Sequence, residues 1–152
     1  MKIFNFYIVI LVSLGGCSPF LNGDKDLLVP VEGKDYALVI NENYEAQRFI
    51  LNLKALTDKN LCVSVDVWPN SIGQLSFATD RAYVLIGEEK YPYLQDRNFG
   101  YCVGICHIKV LSGKSIKGFV TFSEFDDEAF LEEKAKRNLI YQVQPSFCDD
   151  YS

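Results

Sequence analysis

Five cysteines and one histidine are the residues of this 152-residue chain best suited to act as nucleophiles or metal ligands. A structural zinc site takes four nitrogen or sulfur ligands, usually supplied as two close pairs. Cys102-x-x-x-Cys106 is one close pair, and no second one matches it. His107 directly follows Cys106, and adjacent side chains of an extended segment point to opposite faces, so the two do not meet on one ion. The spacing also differs from the Cys-x-x-Cys of a thiol oxidoreductase. No Gly-x-Ser-x-Gly elbow accompanies His107, so its imidazole reads as a hydrogen-bonded group in a strand rather than a general base. Ser112-Gly113-Lys114-Ser115 looks like the end of a phosphate loop but lacks the first glycine at the required distance. Glu124, Asp126, Asp127 and Glu128 cluster without the ligand order of a calcium loop and read as the solvated start of a helix. On this reading the chain is not an enzyme and takes no metal and no cofactor.

Cys17 stands in a different setting. An apolar segment from Ile3 to Leu14, with Lys2 as the only charge before it, leads through Leu14-Gly15-Gly16 into Cys17-Ser18-Pro19. About a dozen apolar residues are too few for a mature transmembrane helix, which needs ~20, and suit the apolar region of a secretory signal. Leu-Gly-Gly-Cys resembles the bacterial lipobox: small residues fit the extended chain into the signal peptidase, and the thiol takes a diacylglycerol. Residues 1–16 are therefore expected to be a signal peptide, Cys17 to be lipidated, and 17–26 to be a polar tether. Acyl chains contribute ~0.8 kcal/mol per buried methylene, so two or more anchor stably. Membrane association is expected through this lipid alone. Ser18 in place of Asp implies, by resemblance to lipoproteins of Gram-negative bacteria, sorting to the outer membrane, facing the periplasm.

Cleavage before Cys17 leaves 136 residues, enough for one domain and too few for two ordinary ones. Loss of Lys2 leaves 14 basic against 20 acidic residues and a formal charge of −6, which argues against a nucleic-acid partner and against electrostatic binding to anionic lipid. In an oxidising compartment the remaining Cys62, Cys102, Cys106 and Cys148 are an even set, and two disulfides are expected. Their connectivity stays open among three pairings. If 101–109 formed one straight strand, Cys102 and Cys106 would share a face but lie ~13 Å apart, beyond disulfide reach. A bridge between them requires the chain to turn at Gly104, and leaves Cys62–Cys148 to clamp the C-terminus.

The elements that position these residues read as short strands. Tyr36–Ile40 is β-branched and aromatic. Phe49, Leu51 and Leu53 alternate with Ile50, Asn52 and Lys54, which favours a strand within 44–56. Leu61–Trp68 alternates Val63, Val65 and Val67 against the rest and ends at Pro69. Further strands are expected over 74–78, 81–86, 101–111, 116–122 and 139–144, with Ser112–Ser115 as a hairpin-type connection. Pro92 confines 91–94 to an edge or loop. Residues 124–136, with Ser123 as N-cap and Lys134, Lys136 and Arg137 near the end, predict one short helix. About seven or eight strands at 8–12-residue intervals predict an all-β fold, a small β-sandwich of immunoglobulin-like or similar type, as a single domain over 27–152.

Aromatic residues crowd one stretch. Tyr91, Tyr93, Phe99 and Tyr101 surround Arg97, and Tyr and Arg carry much of the binding energy at protein interfaces. The segment 88–101 is thus read as a partner-binding edge, in which Tyr93→Ala with Arg97→Ala should abolish binding at unchanged thermal stability. An equally weighted reading packs these rings under a loop at the end of the sandwich.

The lipobox, the short tether, the all-β body, the Leu61-Cys62-Val63-Ser64-Val65 strand and a cysteine near the C-terminus together resemble the type VI secretion immunity lipoproteins of the Gram-negative periplasm. That resemblance implies a non-catalytic protein that binds and neutralises a toxic effector. The alternative is a structural or assembly lipoprotein of the envelope, such as a pilotin-like accessory of a secretion system or pilus.

Overall fold

Two eight-residue strands, the second of strict alternation, organise the molecule. A computed structural model of the chain describes residues 29–75, 82–94, 102, 105–125 and 136–148. β1 (Tyr36–Asn43) and β2 (Arg48–Ala55) pair antiparallel through a turn over 44–47. Phe49, Leu51, Leu53 and Ala55 of β2 are buried, while Arg48, Ile50, Asn52 and Lys54 face outward, as the two-residue period of a strand requires. β7 (Ser115–Thr121) adds to the other edge of β2, setting Phe49 against Val120, Leu51 against Gly118 and Leu53 against Ile116.

Two more small sheets close over this inner face. β3 (Leu61–Ser64) is central between β6 (His107–Val110) and β9 (Ser146–Phe147), and β4 (Ala82–Ile86) is central between β5 (Glu89–Pro92) and β8 (Arg137–Tyr141). All pairings are antiparallel. The fold is all-β and sandwich-like, with nine strands among the described residues. One core joins the sheets: Phe49, Leu51 and Leu53 from the first, Leu61, Val63 and Val110 from the second, Val84 and Leu139 from the third. A fully buried side chain of this size contributes roughly 1.5–3 kcal/mol, and this shared core is what holds the three sheets together.

Two expectations are corrected, and a third is left mostly untested. The strand from Leu61 ends at Ser64, not Trp68: Ser64 Oγ accepts from Asp66 N at 3.2 Å and Val67 N donates to Ser64 O at 3.1 Å, so a side-chain turn competes with the ladder. Trp68 is nevertheless buried. Its indole and Pro69 lie against Gly118, where a Cβ would stand 2.9 Å from Pro69 and 3.0 Å from Trp68 Nε1. Ser112–Lys114 does turn the chain, with Lys114 N bonded to Leu111 O, but β6 and β7 enter different sheets and form no hairpin. Finally, the expected helix over 124–136 lies mostly outside the described residues. At its flanks the structure places a 3-10 turn over Phe122–Glu124 and the first residue of β8, Arg137. The signal segment, Cys17 and the tether also fall outside the described residues.

Candidate binding site

The β5 edge carries what can be placed of the predicted partner-binding segment. Gly87 and Glu88 make a two-residue turn between β4 and β5, and Gly87 takes φ +60°, which a first-position glycine supplies without strain. Pro92 ends β5 and is exposed. No strand pairs with the outer side of β5 among the described residues, as a proline-bearing edge strand allows. Tyr91 is half-buried opposite Val84, and its hydroxyl donates to Glu89 Oε2 at 2.7 Å. On the opposite face Lys90 Nζ lies 4.1 Å from the centroid of the Tyr83 ring. Arg97, Phe99 and Tyr101 lie outside the described residues.

Tyr93 belongs to the core, which corrects the expectation for that residue. Its side chain is 7% exposed, and its ring meets Phe125 edge-on at 5.7 Å. The hydroxyl accepts from Leu75 N at 3.0 Å and lies 2.9 Å from Leu75 O and 2.5 Å from Glu124 Oε2. One phenolic proton is thus shared between a backbone carbonyl and a carboxylate. Glu124 is itself only 3% exposed, so it is a buried partner of Tyr93 and not part of a solvated helix start. Together these bonds pin three separate stretches, around Leu75, Tyr93 and Glu124. The ring offers nothing to a partner.

A second constellation is one that sequence reasoning missed. Arg137, assigned there to the dipole-favoured end of a surface helix, is 2% exposed. Its Nη1 lies 3.2 Å from Glu42 Oε1, and its backbone N–H donates to Glu42 Oε2 at 3.2 Å. Its guanidinium carbon stands 5.2 Å from the centroid of Tyr44 and 5.3 Å from that of Phe122, within cation–π range. Both carboxylate oxygens are therefore engaged, and the guanidinium lies against two neighbouring rings whose centroids are 6.5 Å apart. Glu42 and Arg137 lie 95 residues apart, and no local signal links them. Beside them, between β1 and β8, opens a cavity of about 240 Å³ lined by Ile40, Glu42, Phe49, Lys136 and Leu139 among others. From Arg137 a row of rings runs inward: Phe122 contacts Phe49 at 4.9 Å, and Phe49 contacts Phe125 at 5.9 Å. Phe125 leads to Tyr93.

The four cysteines pair as two disulfides. Cys62–Cys148 joins β3 to the residue after β9, with Cα atoms 5.1 Å apart, and Cys102–Cys106 closes a short loop with Cα atoms 5.4 Å apart. The strand expected over 101–111 is shorter among the described residues: β6 spans only His107–Val110. Val65 N donates to Cys106 O at 3.1 Å, which ties the loop to the end of β3. His107 opens β6 opposite Ser64 and is half-buried. The other titratable group of note is Tyr36, whose hydroxyl donates to Val143 O at 3.1 Å. Burial, with the nearby Glu32 carboxylate second, holds its phenol above the ordinary tyrosine range.

No protein-family model matches the chain, and no curated protein and no solved structure matches it either.

Proposed function

We propose that the chain is a lipid-anchored, non-catalytic binding module of the bacterial periplasm, held at the outer membrane by Cys17, and that it acts as an immunity protein that neutralises a secreted toxic effector. One combination carries the reading. A lipobox cysteine is followed by a body whose other four cysteines pair within disulfide distance, as suits an exported protein in an oxidising space. Cross-linked small β-bodies hold their surfaces rigid, and rigidity favours binding by lowering the entropy lost on association.

The test has two stages. Labelling with a fatty-acid analogue should mark the wild-type chain and fail on Cys17→Ala. Co-expression with the effector encoded beside the gene should then rescue growth when both are sent to the periplasm. Absence of rescue by any adjacent effector, with co-purification of an envelope complex instead, would replace the immunity role with an assembly role.

A further inference from the structure

The outward face of the β1-β2-β7 sheet is opposite in charge to the chain that carries it. Arg48, Lys54 and Lys117 project from it, and no carboxylate occupies an outward position of these three strands. The whole chain has 20 acidic against 15 basic residues. Apolar side chains fill the middle. Val39 is 49% exposed, and Ile50 sits opposite Phe119, both half-buried. Arg48 stacks on the Phe119 ring at 5.0 Å, which fixes a cation beside an aromatic plane before any partner arrives. Two polar atoms of the same face, Arg48 Nε and Asn52 Oδ1, are screened from water without a hydrogen-bond partner. Such groups cost about 1–3 kcal/mol each, so this face is not arranged for maximal stability in isolation.

The rim is also defined. Thr121 N donates to Gly73 O at 3.2 Å, so the loop over 69–75 lies along the edge of β7. Gly73 takes φ +82° and a Cβ there would overlap the Phe119 ring. The loop presents Ile72, 63% exposed, next to the face.

We infer that this face docks an acidic protein surface with apolar side chains at its centre. The inference rests on the binding-module reading and names its surface and the chemistry of its partner. Charge complementarity of this kind steers association and rejects wrong partners, while apolar contacts supply affinity. An anionic membrane is the poorer occupant. Polybasic lipid sites use roughly 4–8 cations, this face offers Arg48, Lys54 and Lys117, and the acidic remainder of the chain is repelled by anionic lipid.

The experiment is a titration of the full chain in neutral detergent with a random glutamate–tyrosine copolymer, followed by NMR. Shifts concentrated on β1, β2 and β7, screened by added salt and lost in Lys54→Glu/Lys117→Glu, support the inference. Both lysines are exposed, so the double variant should keep its melting temperature; Arg48→Glu is the second variant, because Arg48 is half-buried. No binding, or shifts centred elsewhere, overturns the inference. Flotation of the wild type with phosphatidylglycerol vesicles through the same lysines would also overturn it, by assigning the face to lipid. With the adjacent effector as probe, the double variant should associate on the order of 10-fold more slowly or worse at low salt. If the wild type rescues growth and the variant matches its rate, the face is wrong and the immunity reading survives. If the wild type fails to rescue, the immunity reading falls and the copolymer titration still decides the face.

Discussion

Removing one oxygen atom from Tyr93 isolates the contribution of its buried bonds. Tyr93→Phe keeps the ring and its edge-on contact with Phe125 but deletes the hydroxyl that accepts from Leu75 N and shares its proton with Leu75 O and Glu124 Oε2. A backbone bond of this kind is worth about 1 kcal/mol net, and one to a charged group about 1.5–3 kcal/mol. Because a single proton serves both acceptors, the sum is about 2–4 kcal/mol rather than that of three independent bonds. Against a typical stability of 5–15 kcal/mol, that is a large loss. At about 3–5 °C per kcal/mol for a domain of this size, the melting temperature followed by circular dichroism should fall by roughly 10 °C. Tyr93→Ala also removes the ring and should cost about 3–5 kcal/mol or more. A cycle with Glu124→Gln should return a coupling of at least about 1 kcal/mol. If Tyr93→Phe melts within about 2 °C of wild type and the cycle returns no coupling, the hydroxyl is not pinning the three stretches and the placement of Tyr93 in the core is wrong.

Gly118→Ala forces a methyl group against Pro69 and Trp68. It should destabilise by about 1–3 kcal/mol and, since Trp68 is the only tryptophan, shift the fluorescence emission; an unchanged spectrum and midpoint would argue against that contact. Loss of Cys62–Cys148 as a double alanine variant frees a loop with a sequence separation of 86 and should cost about 4–5 kcal/mol in urea unfolding. The same change at Cys102–Cys106, with a separation of 4, should cost about 2 kcal/mol, and a reversed order would contradict loop-entropy reasoning. Tyr36 predicts alkaline behaviour. Its raised native pKa means the folded state holds the phenolic proton more tightly than the unfolded chain, so this stabilisation is complete below the ordinary value near 10.0 and is lost as pH rises through the native value. Tyr36→Phe should therefore be less stable than wild type at neutral pH, by about 1 kcal/mol for its bond to Val143, and the gap should narrow above pH 10; a gap that widens there would show the sign to be wrong.

Much of the fold is legible because period and punctuation act locally. Phe49, Leu51 and Leu53 announce an inward face of β2 by alternation alone, and Pro92 announces an edge because it cannot donate to a ladder. A signal-like N-terminus and an even count of the remaining cysteines point to disulfides by local pattern alone. Leu61–Trp68 misleads for an equally local reason. Its valines keep the period of a strand beyond the point where Ser64 and Asp66 divert the backbone. Tyr93, Glu124 and Arg137 are illegible for a different reason. Residue type states what a side chain can bind, not where it sits, and each is defined by partners distant in the chain: Leu75 for Tyr93, Tyr93 for Glu124, Glu42 for Arg137. Tyr and Arg side chains offer two readings, interface or buried polar anchor, and only tertiary contacts separate them.

The same buried anchors bear on how a partner is recognised. A sandwich built from three small sheets exposes several edges, and open edges invite strand addition. Here the edge of β7 is overlaid by the 69–75 loop through Gly73 O and Thr121 N. At the gap between β1 and β8 the Glu42 carboxylate takes the Arg137 N–H that an added strand would otherwise use. Pro92 withholds a donor at the end of β5. Edges defended in these ways are poor templates for a foreign strand. Side chains projecting from the sheet face beyond the 69–75 loop, which reaches it at Phe119, are left as the natural means of recognition. A partner that bound by strand addition along β7 would have to displace the loop, break the Gly73–Thr121 bond and take the Thr121 N–H for itself, so Thr121→Pro, which removes that donor, should abolish such binding. If partner binding is instead weakened by Lys117→Glu on the adjacent face and indifferent to Thr121→Pro in a folded variant, recognition runs through the face.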